Sequence, residues 1–443
     1  MFVGRDRELA VLEELVDSGD PEFFVLYGRR RVGKTELLQQ LCEGRRAVYF
    51  LAAQVREKDN LRAFRDALKE GLGDPLLDTI EFPDWSAALG FAAERAGDER
   101  LVLVLDEFPY LCESTKGLPS QLQKFWDTRG KKSSLMLVLC GSQVSFMEKE
   151  VLAERSPLFG RRTGQRRLAP LEPHEALAFH PTWSVRDRVL TYGILGGMPA
   201  YLLRFRESRS IEANLMAEVL RPEVNFLLRT ELSSPATYNS ILAAVAQGCD
   251  RVGDIALHVG VDSTTAGKYL HVLRELQLIA RDIPITDPDP LRSRKGRYRI
   301  ADRFLAFHFR HVQPNVSLIH AGRGRRVYEE FIAPDLERLF DEARTEFVLS
   351  HLTREAAELI GDEVVESGRH DGTWVRAVGR TAGGRTVAGV VVPEGSRSTA
   401  TLENELGALT SVFGDTPIKL VYGITDRPDR ALEVETVPEG ELL

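Results

Sequence analysis

The sequence has few cysteines and lacks the long apolar runs that build membrane spans. It has four cysteines in 443 residues, and none belongs to a C-x-x-C pair. Cys42, Cys112, Cys140 and Cys249 lie far apart, which argues against a disulfide-stapled scaffold and a cysteine-ligated zinc site. No apolar run approaches the roughly eighteen residues that a membrane-spanning helix needs. We therefore expect reduced thiols in a chain without a membrane partner.

Positive charge is not in excess either. Acidic residues outnumber basic residues by 66 to 58, for a net charge of −8. This balance argues against a general nucleic-acid coat, although it allows one local basic face. Charged residues begin at Arg5, so no signal peptide is visible and we expect a cytoplasmic protein. The chain is long enough for about two to four domains.

A phosphate-binding motif follows the first strongly apolar stretch. Residues 28–35 match the pattern G-x-x-x-x-G-K-[ST]. Residues 23–27 predict a buried strand before the motif, and residues 36–41 predict a helix after it, which is the context that the motif requires. Backbone N–H groups and a helix N-terminus can then converge on a triphosphate. Lys34 would meet the β- and γ-phosphates and the Thr35 hydroxyl would hold Mg²⁺. The motif predicts a site for ATP and Mg²⁺ made by Gly28, Arg29, Arg30, Arg31, Val32, Gly33, Lys34, Thr35 and Glu36.

A second apolar strand ends in two carboxylates. The run 101–105 is followed directly by Asp106 and Glu107. We expect this strand beside the P-loop strand, so that Asp106 approaches Mg²⁺ through a water molecule. Glu107 would then polarise an attacking water.

Three more side chains are candidates for the same site. Ser142 follows the apolar strand 135–140, where it would either sense the γ-phosphate from a neighbouring strand tip or form a simple turn. Arg161 and Arg162 follow a glycine. They form either a solvated turn or, in an ATPase, an arginine finger that stabilises charge on the transferring phosphoryl group.

Strand and helix patterns alternate over the first part of the chain. Continuous apolar strands separated by helices predict an α/β fold whose parallel sheet is covered on both faces. The predicted strands are 22–27, 47–51, 101–105, 135–140 and 166–168, and the helices are 61–72, 85–96 and 120–128. Shifts in pattern divide the chain into a P-loop core (1–172), a helical lid (173–234), a winged-helix domain (235–320) and a C-terminal α/β domain (321–443).

The middle of the chain has the pattern of a helix–turn–helix. Residues 251–266 contain apolar helix positions, a glycine turn and a Ser/Thr N-cap. The second helix is predicted at 264–276, with Leu276 inward and Lys268 and Arg274 outward. A basic hairpin at 292–300 follows, and its cations would contact DNA phosphates. The alternative is a packing or protein-binding module. The candidates for contact with double-stranded DNA are Lys268, Arg274, Arg294, Lys295 and Arg297.

Taken together, these motifs resemble the archaeal and bacterial ATPase family within the STAND/AAA+ group of P-loop NTPases. The matching strings are residues 2–9, 28–35, 106–111, 140–147, 156–163 and 196–202. The resemblance implies that Val3, Gly4 and Arg5 lie near the adenine and that Pro199 of the lid contacts the nucleotide. It also supports Glu107, Ser142, Arg161 and Arg162 as the catalytic set.

The same resemblance implies a restriction-endonuclease-like C-terminal domain. Active nucleases of that fold gather a helix Glu, a strand Asp and a Glu-x-Lys pair on Mg²⁺. Glu329 matches the helix position, but Arg376 stands at the strand Asp, and Val390 and Val392 stand at the Glu-x-Lys positions. Arginine and valine cannot ligate a hard cation, so we expect a degenerate nuclease-like domain, with Asp371 as a shifted ligand in the alternative case.

Two functions compete at this point. The first is an ATP-hydrolysing switch whose nucleotide state controls DNA binding through the winged helix. The second is a STAND-type signalling ATPase that forms a homo-oligomer on activation and binds protein partners. ATP and ADP are the expected small-molecule ligands in both cases.

Overall fold

The computed structural model describes residues 2–221, 236–287, 289, 292–293, 295–370, 372–392, 400–424 and 432–437. The chain divides into two compact units. The first comprises Met1–Leu171 with Met198–Ala200, and the second comprises Glu172–Gly197 with Tyr201–Leu443. The short segment Met198–Ala200 therefore belongs with the first unit although it follows residues of the second.

The first unit is built on a parallel sheet. The strand order is β2-β3-β4-β1-β5, and every neighbouring pair is parallel, as the apolar strand runs predict. All residues of β1, β3 and β4 are buried, which explains their continuous apolar character. The strands are β1 (Glu22–Tyr27), β2 (Ala47–Leu51), β3 (Leu101–Asp106), β4 (Leu135–Gly141) and β5 (Gly164–Arg167).

One predicted neighbour relationship in this sheet is wrong. The strand that carries Asp106 does not pair with the P-loop strand, because β4 lies between β3 and β1 and pairs with both. Strand order depends on crossover connections, which local sequence does not encode. The fifth strand also begins and ends earlier than the predicted 166–168.

Helices connect the strands of the first unit. The predicted helix 85–96 is confirmed, and the Asp84 side chain caps it by accepting a hydrogen bond from the Ala87 N–H at 2.8 Å. The helix predicted at 61–72 begins earlier, at Glu57, where acidic side chains in the first turn suit the helix dipole. The helices are α1 (Asp6–Asp17), α2 (Lys34–Cys42), α3 (Glu57–Leu72), α4 (Trp85–Ala96), α5 (Phe108–Ser114), α6 (Leu118–Thr128) and α7 (Val144–Phe146), with further turns at Pro75–Asp78, Gly130–Lys132 and Met147–Leu152.

The second unit begins with helices and contains the predicted helix–turn–helix segment. Three helices are followed by an antiparallel hairpin in which Ile279 pairs with Ile300. This is the element order of a winged helix. The elements are α8 (Pro173–Ala176), α9 (Val185–Leu195), α10 (Pro199–Leu202, which straddles the unit division), α11 (Ile211–Glu218), α12 (Ala236–Ala246), α13 (Val252–Val259), α14 (Ser263–Glu275), β6 (Ile279–Asp282) and β7 (Arg297–Ile300).

A second sheet forms the C-terminal part of this unit. Its order is β12-β11-β10-β9-β8, with β10 and β11 parallel and the other pairs antiparallel. The long helix α18 packs on one face through Val348 and Leu352, and α20 packs on the other through Leu402 and Leu409. The strands are β8 (Val364–Arg369), β9 (Val375–Thr381), β10 (Thr386–Val391), β11 (Ile418–Ile424) and β12 (Leu432–Val437).

Helices connect the hairpin to this sheet and flank it. No helix among the described ranges is long and apolar enough to span a membrane. The helices are α15 (Arg303–Phe307), α16 (Val316–His320), α17 (Gly324–Val327), α18 (Leu336–Arg354), α19 (Ala356–Ile360) and α20 (Ala400–Phe413), with shorter helical turns at Leu177–Phe179, His308–Val312, Gln313–Asn315, Tyr328–Ile332 and Ala333–Asp335.

Candidate nucleotide-binding site

The loop between β1 and α2 has the backbone of a phosphate cradle. Gly33 is the N-cap of α2 with φ 94°, a conformation that favours glycine. A Cβ on Gly28 would lie 2.3 Å from the Leu168 carbonyl oxygen, so no side chain fits there. The first N–H groups of α2, from Lys34 to Glu36, have no acceptor within the helix and point to its N-terminal end. The loop can therefore bind phosphate oxygens.

Lys34 is buried inside this loop. Its Nζ donates to the carbonyl oxygens of Gly28 and Arg29, each at 2.9 Å. Burial lowers the pKa of the Lys34 ammonium, while Glu107 and Asp106 act in the opposite direction. A buried ammonium whose hydrogen bonds go to neutral carbonyl oxygens gains a charged partner when a phosphate binds, which favours an anionic ligand here.

Asp106 and Thr35 meet at the carboxyl ends of the strands. Thr35 Oγ1 donates to Asp106 Oδ2 at 3.2 Å, and Asp106 is buried. The Tyr49 hydroxyl donates to the same Oδ2, while Oδ1 accepts the Glu107 N–H at 2.8 Å. Burial raises the pKa of the Tyr49 hydroxyl, and the Asp106 carboxylate raises it further, so the phenol keeps its proton. A hydroxyl and a carboxylate are the oxygen donors that Mg²⁺ takes.

Tyr49 is a site residue that sequence reasoning missed. The feature of the sequence that could have identified it is a tyrosine, an aromatic residue with a hydroxyl, between the buried Val48 and Phe50 on β2. Because β2 pairs with β3 so that Leu51 lies opposite Asp106, Tyr49 shares a face with the strand end.

Glu107 lies directly after the third strand and is held by the candidate sensor. It adopts a left-handed conformation with φ 52°, which is uncommon for a residue other than glycine. Ser142, at the tip of β4, donates its hydroxyl proton to Glu107 Oε2 at 2.9 Å. The structure thus brings Asp106, Glu107, Ser142 and Thr35 together at one edge of the sheet.

The remaining predicted site residues surround the loop. Arg5 has φ 71°, and its Nη2 donates to the carbonyl oxygens of Val32 at 3.0 Å and Ala169 at 2.6 Å, so it braces the P-loop. Pro199 Cγ lies 3.7 Å from the position that a Cβ on Gly33 would occupy. The other predicted P-loop and N-terminal residues belong to the same segments, namely Val3, Gly4, Arg30, Arg31 and Glu36.

The backbone of the arginine-finger candidates lies near the start of β1, although the Arg162 guanidinium is close enough to Tyr27 at its end to lower the pKa of that hydroxyl against the stronger effect of burial. They precede β5, whose first residue Gly164 pairs with Phe24 near the start of β1, whereas the P-loop follows the end of β1. Arg161 donates Nε and Nη2 to Asp127 at 3.1 and 2.8 Å, so its guanidinium is engaged. Within the described part of the chain, Arg162 Nη1 is buried without a hydrogen-bond partner.

The predicted DNA-binding residues differ in availability. Lys268 and Arg274 are exposed on α14, and Lys295 is exposed before β7. Arg297 pairs with Asp250 at 2.8 Å, so much of its charge is neutralised within the module. Arg294 lies outside the described residues.

Two details of the predicted recognition helix are wrong. The N-cap is Asp262 rather than a Ser or Thr, and its carboxylate accepts from the N–H groups of Thr264 and Thr265 at 3.0 and 2.9 Å. Leu276, which we expected to face inward, is 37% exposed because the helix ends at Glu275.

The hairpin is anchored on the C-terminal sheet. Asp282 of β6 pairs with Arg299 at 2.7 Å and lies 3.8 Å from the Nε of Arg369. Ile285 packs against the apolar cluster that contains Trp374. An ion pair and apolar packing therefore both hold the hairpin against the C-terminal sheet.

Glu329, the predicted helix residue of the nuclease-like domain, lies in the π-helical turn Tyr328–Ile332 and pairs with Arg325 at 3.4 Å. This turn and the 3₁₀ turn Ala333–Asp335 precede α18, which is the helix that packs on the sheet.

The strand positions also need correction. Val390 faces the α20 cluster and Val392 follows the strand, whereas Gly389 and Val391 face α18. Arg376 of β9 pairs with Asp341 of α18 at 2.5 Å. Asp371 lies outside the described residues. Among the residues that the structure describes, no group of three or more His, Cys, Asp or Glu side chains is arranged to hold a metal.

A cavity of about 640 Å³ lies on the α18 face of the C-terminal sheet. Its lining includes Asp341, Arg344, Arg369, Arg376 and Val391. Carboxylates and guanidinium groups pair with each other around it, since Asp341 pairs with both Arg344 and Arg376.

Comparisons with known proteins identify an ATPase domain in the part of the chain that contains this site. Residues 2–205 match the family described as an ATPase domain predominantly from Archaea. An uncharacterized protein of Methanocaldococcus jannaschii is 37% identical over 328 residues, which are 73% of this chain and 71% of that protein. An uncharacterized ATP-binding protein of the same organism is 44% identical over 46 residues, which are 10% of this chain and 78% of that protein.

A solved structure shares the fold. The Walker-type ATPase of Pyrococcus abyssi aligns with a TM-score of 0.52 at 19% identity, over 70% of this chain and 96% of that chain. The P-loop and the acidic strand end lie in the first unit, and the matched ATPase domain covers that unit and continues into the second. The chain therefore belongs to this family of P-loop ATPases.

Proposed function

We propose that the protein is a Mg²⁺-dependent ATPase switch whose nucleotide state controls binding of double-stranded DNA. The observation that carries the catalytic part is the convergence of two hydrogen-bonded pairs, Thr35 with Asp106 and Ser142 with Glu107. Thr35 and Asp106 supply oxygen ligands for a cation. Ser142 holds the carboxylate of Glu107, which is the next residue after Asp106.

Each residue has a defined task in this proposal. The backbone of residues 28–35 and the ammonium of Lys34 bind the phosphates. Thr35 would hold Mg²⁺ directly and Asp106 would do so through water, and the bound ion would supply neutralisation of charge on the phosphates. Glu107 orients the water that attacks the γ-phosphate, and Ser142 holds the Glu107 carboxylate in place.

The arginine finger comes from a second copy of the chain. Support comes from the placement of Arg161 and Arg162 at the opposite end of β1 from their own P-loop. Arg161 forms an ion pair with Asp127, whereas Arg162 lies over the Phe159 ring at 5.6 Å, a weaker contact that is more easily exchanged for a neighbour's phosphate, so Arg162 is the stronger candidate. Hydrolysis is then slow in the monomer and faster in a homo-oligomer.

DNA binding is assigned to the winged-helix segment. The exposed cations Lys268 and Arg274 lie on the helix that enters the major groove in such modules, and Lys295 lies on the hairpin. The overall charge of −8 requires that attraction come from such a local face.

The alternative is a signalling ATPase that binds protein partners and no DNA. The anchoring of the hairpin on the C-terminal sheet through Asp282 favours it, because an anchored hairpin serves as a packing element. Duplex binding in defined nucleotide states distinguishes the two functions.

The decisive experiment traps the ATP state. Glu107→Gln should keep ATP binding but lower kcat by about 10²- to 10⁴-fold, because it removes the water-orienting charge and leaves the phosphate cradle intact. Lys34→Ala should lose tight binding. Duplex affinity is then measured for Glu107→Gln with ATP and with ADP. A difference supports the DNA switch, equal absence of binding supports the signalling ATPase, and unchanged turnover in Glu107→Gln overturns the catalytic assignment.

A further inference from the structure

One arginine of the P-loop reaches beyond the loop itself. Arg30 stands at a variable position of the motif and is exposed at its surface. Its Nη2 donates to the Tyr110 hydroxyl at 2.7 Å, and its Nε donates to Ser142 Oγ at 3.4 Å. Tyr110 lies on α5, the helix that follows Glu107. Arg30 thus links the P-loop with two segments that carry the hydrolytic residues.

The hydrogen bonds run in one direction. A serine hydroxyl has one proton to donate and lone pairs to accept. Ser142 accepts from Arg30 and donates to Glu107 Oε2 at 2.9 Å. With the Arg30 N–H directed at its lone pairs, the hydroxyl proton is left for the carboxylate. The guanidinium polarises the hydroxyl, and the polarised hydroxyl binds the carboxylate more strongly, so each hydrogen bond strengthens the next.

Two cations of the P-loop, Arg30 and Lys34, also lie close to each other. The Arg30 guanidinium is close enough to Lys34 to oppose protonation of that ammonium. Holding a long, exposed side chain in such a place costs rotamer entropy, and the Tyr110 hydroxyl offsets part of that cost. An arginine that only attracts phosphate has no need of a hydrogen bond with Ser142. An arginine that orients Glu107 through the Ser142 hydroxyl does need that hydrogen bond.

We propose that Arg30 is a positioning residue for hydrolysis, which acts through Ser142 to orient the Glu107 carboxylate toward the attacking water. Tyr110 holds the guanidinium in that position. This inference rests on the proposed role of Glu107. It assigns to Arg30 a role in turnover that is separate from phosphate binding.

The test separates turnover from binding. Arg30→Gln should lower kcat about ten- to a hundredfold, because misplacement of a reacting group by about 1 Å has an effect of that size. The Kd for ATP, measured by calorimetry, should change by less than about threefold. Arg30→Lys should recover part of kcat because an ammonium still donates to the hydroxyl. Arg62→Gln, which removes an exposed arginine on α3, is the matched control.

A double-mutant cycle checks the route. If Arg30 acts through Ser142, the loss of kcat in Arg30→Gln combined with Ser142→Ala should equal that of Ser142→Ala alone. Multiplicative losses in the cycle, or a rise in Kd with kcat unchanged, would overturn the inference. If Glu107→Gln itself leaves turnover unchanged, the proposed function fails first. If Glu107→Gln is inactive while Arg30→Gln keeps full kcat, the positioning role alone fails.

Discussion

Thr35 Oγ1 and Asp106 Oδ2 lie 3.2 Å apart although 71 positions separate them in the chain. Thr35 lies in the first turn of α2, which follows β1 and the P-loop. Asp106 ends β3, and β4 lies between β3 and β1 in the sheet. Their proximity means that the oxygen donors for a cation are already together in the folded chain. Little reorganisation is then needed when Mg²⁺ arrives with the nucleotide.

Tyr49→Phe tests whether the Tyr49 hydroxyl supports this cation site. The hydroxyl donates to Asp106, so its loss should loosen the carboxylate and raise the Mg²⁺ concentration needed for half-maximal ATPase activity severalfold. Affinity for ATP without Mg²⁺ should stay unchanged. A Mg²⁺ titration of activity checks this, with Tyr238→Phe as the control because its ring packs on Tyr269 in the other unit. An unchanged Mg²⁺ requirement would contradict the role.

Complementation between inactive variants tests the arginine finger. Arg162→Ala should bind ATP and hydrolyse it slowly, while Lys34→Ala should fail to bind. Each variant carries what the other lacks if the finger acts on a neighbouring copy, so a mixture should regain activity that rises with protein concentration. ATPase assays of the separate and mixed proteins give the answer. A mixture no faster than the sum of its parts would exclude action in trans.

Salt dependence tests the DNA-binding residues. Replacing Lys268, Arg274 and Lys295 with alanine should weaken duplex binding and flatten the log–log salt slope by about 0.9 for each phosphate that the protein no longer neutralises. Arg297→Ala should change the slope less, because Asp250 already neutralises that charge. Replacement of Lys58, Arg62 and Lys69 on α3 removes the same charge elsewhere and serves as the control. Equal slopes in the triple variant and the wild type would favour the signalling function.

Glu346→Gln tests the buried ion pairs of the second unit. Glu346 is paired with Arg303 at 2.8 Å and with Arg369. The substitution removes the carboxylate that lies between the two guanidinium groups and leaves Arg303 with Glu342 and Arg369 with Asp282, so the free energy of unfolding should fall by up to about 3–5 kcal/mol. The more exposed Glu342→Gln, at 41% exposure, should lose no more than about 1 kcal/mol. Denaturant titration measures both, and equal effects would argue against a special role for burial.

The same carboxylate predicts an acid dependence. Burial alone would raise the pKa of Glu346, but Arg303 and Arg369 outweigh it and lower the pKa from 4.5 to about 2. A group whose pKa is lower in the folded state stabilises the fold above its unfolded pKa and loses that effect as the pH falls. Wild type should therefore lose stability between pH 4.5 and about 2, and Glu346→Gln should show a shallower loss. Parallel pH profiles would contradict this.

The α18 face of the C-terminal sheet should not cut DNA with Mg²⁺ or Mn²⁺. If this domain has the nuclease-like fold that the sequence predicts, Arg376 stands at the strand position of a metal ligand, and its guanidinium pairs with Asp341. Incubation of duplex and single-stranded DNA with the purified wild-type protein checks this. Cleavage that persists in Glu107→Gln but disappears in Asp341→Asn, with the fold retained, would show that the face still binds a catalytic metal.

Local sequence determined the nucleotide loop and the elements around it. The strand 22–27, the helix 85–96 and the P-loop were predictable because a continuous apolar run, a 3.6-residue period and a glycine pattern each act over a few neighbours. The position of the adjacent carboxylates Asp106 and Glu107 at the end of a strand was predictable for the same reason, because they directly follow an apolar run.

Tertiary structure alone decided which of these pieces touch. The insertion of β4 between β1 and β3, the hydroxyl of Tyr49 on Asp106 and the bond from Arg30 to Ser142 all join segments that are distant in sequence. The C-terminal sheet shows the same limit, because a shift of one residue along β10 moves a side chain from the α18 face to the α20 face. Composition and local periodicity specify the elements, whereas crossover order and strand register, which place side chains in a site, arise only when the whole core packs.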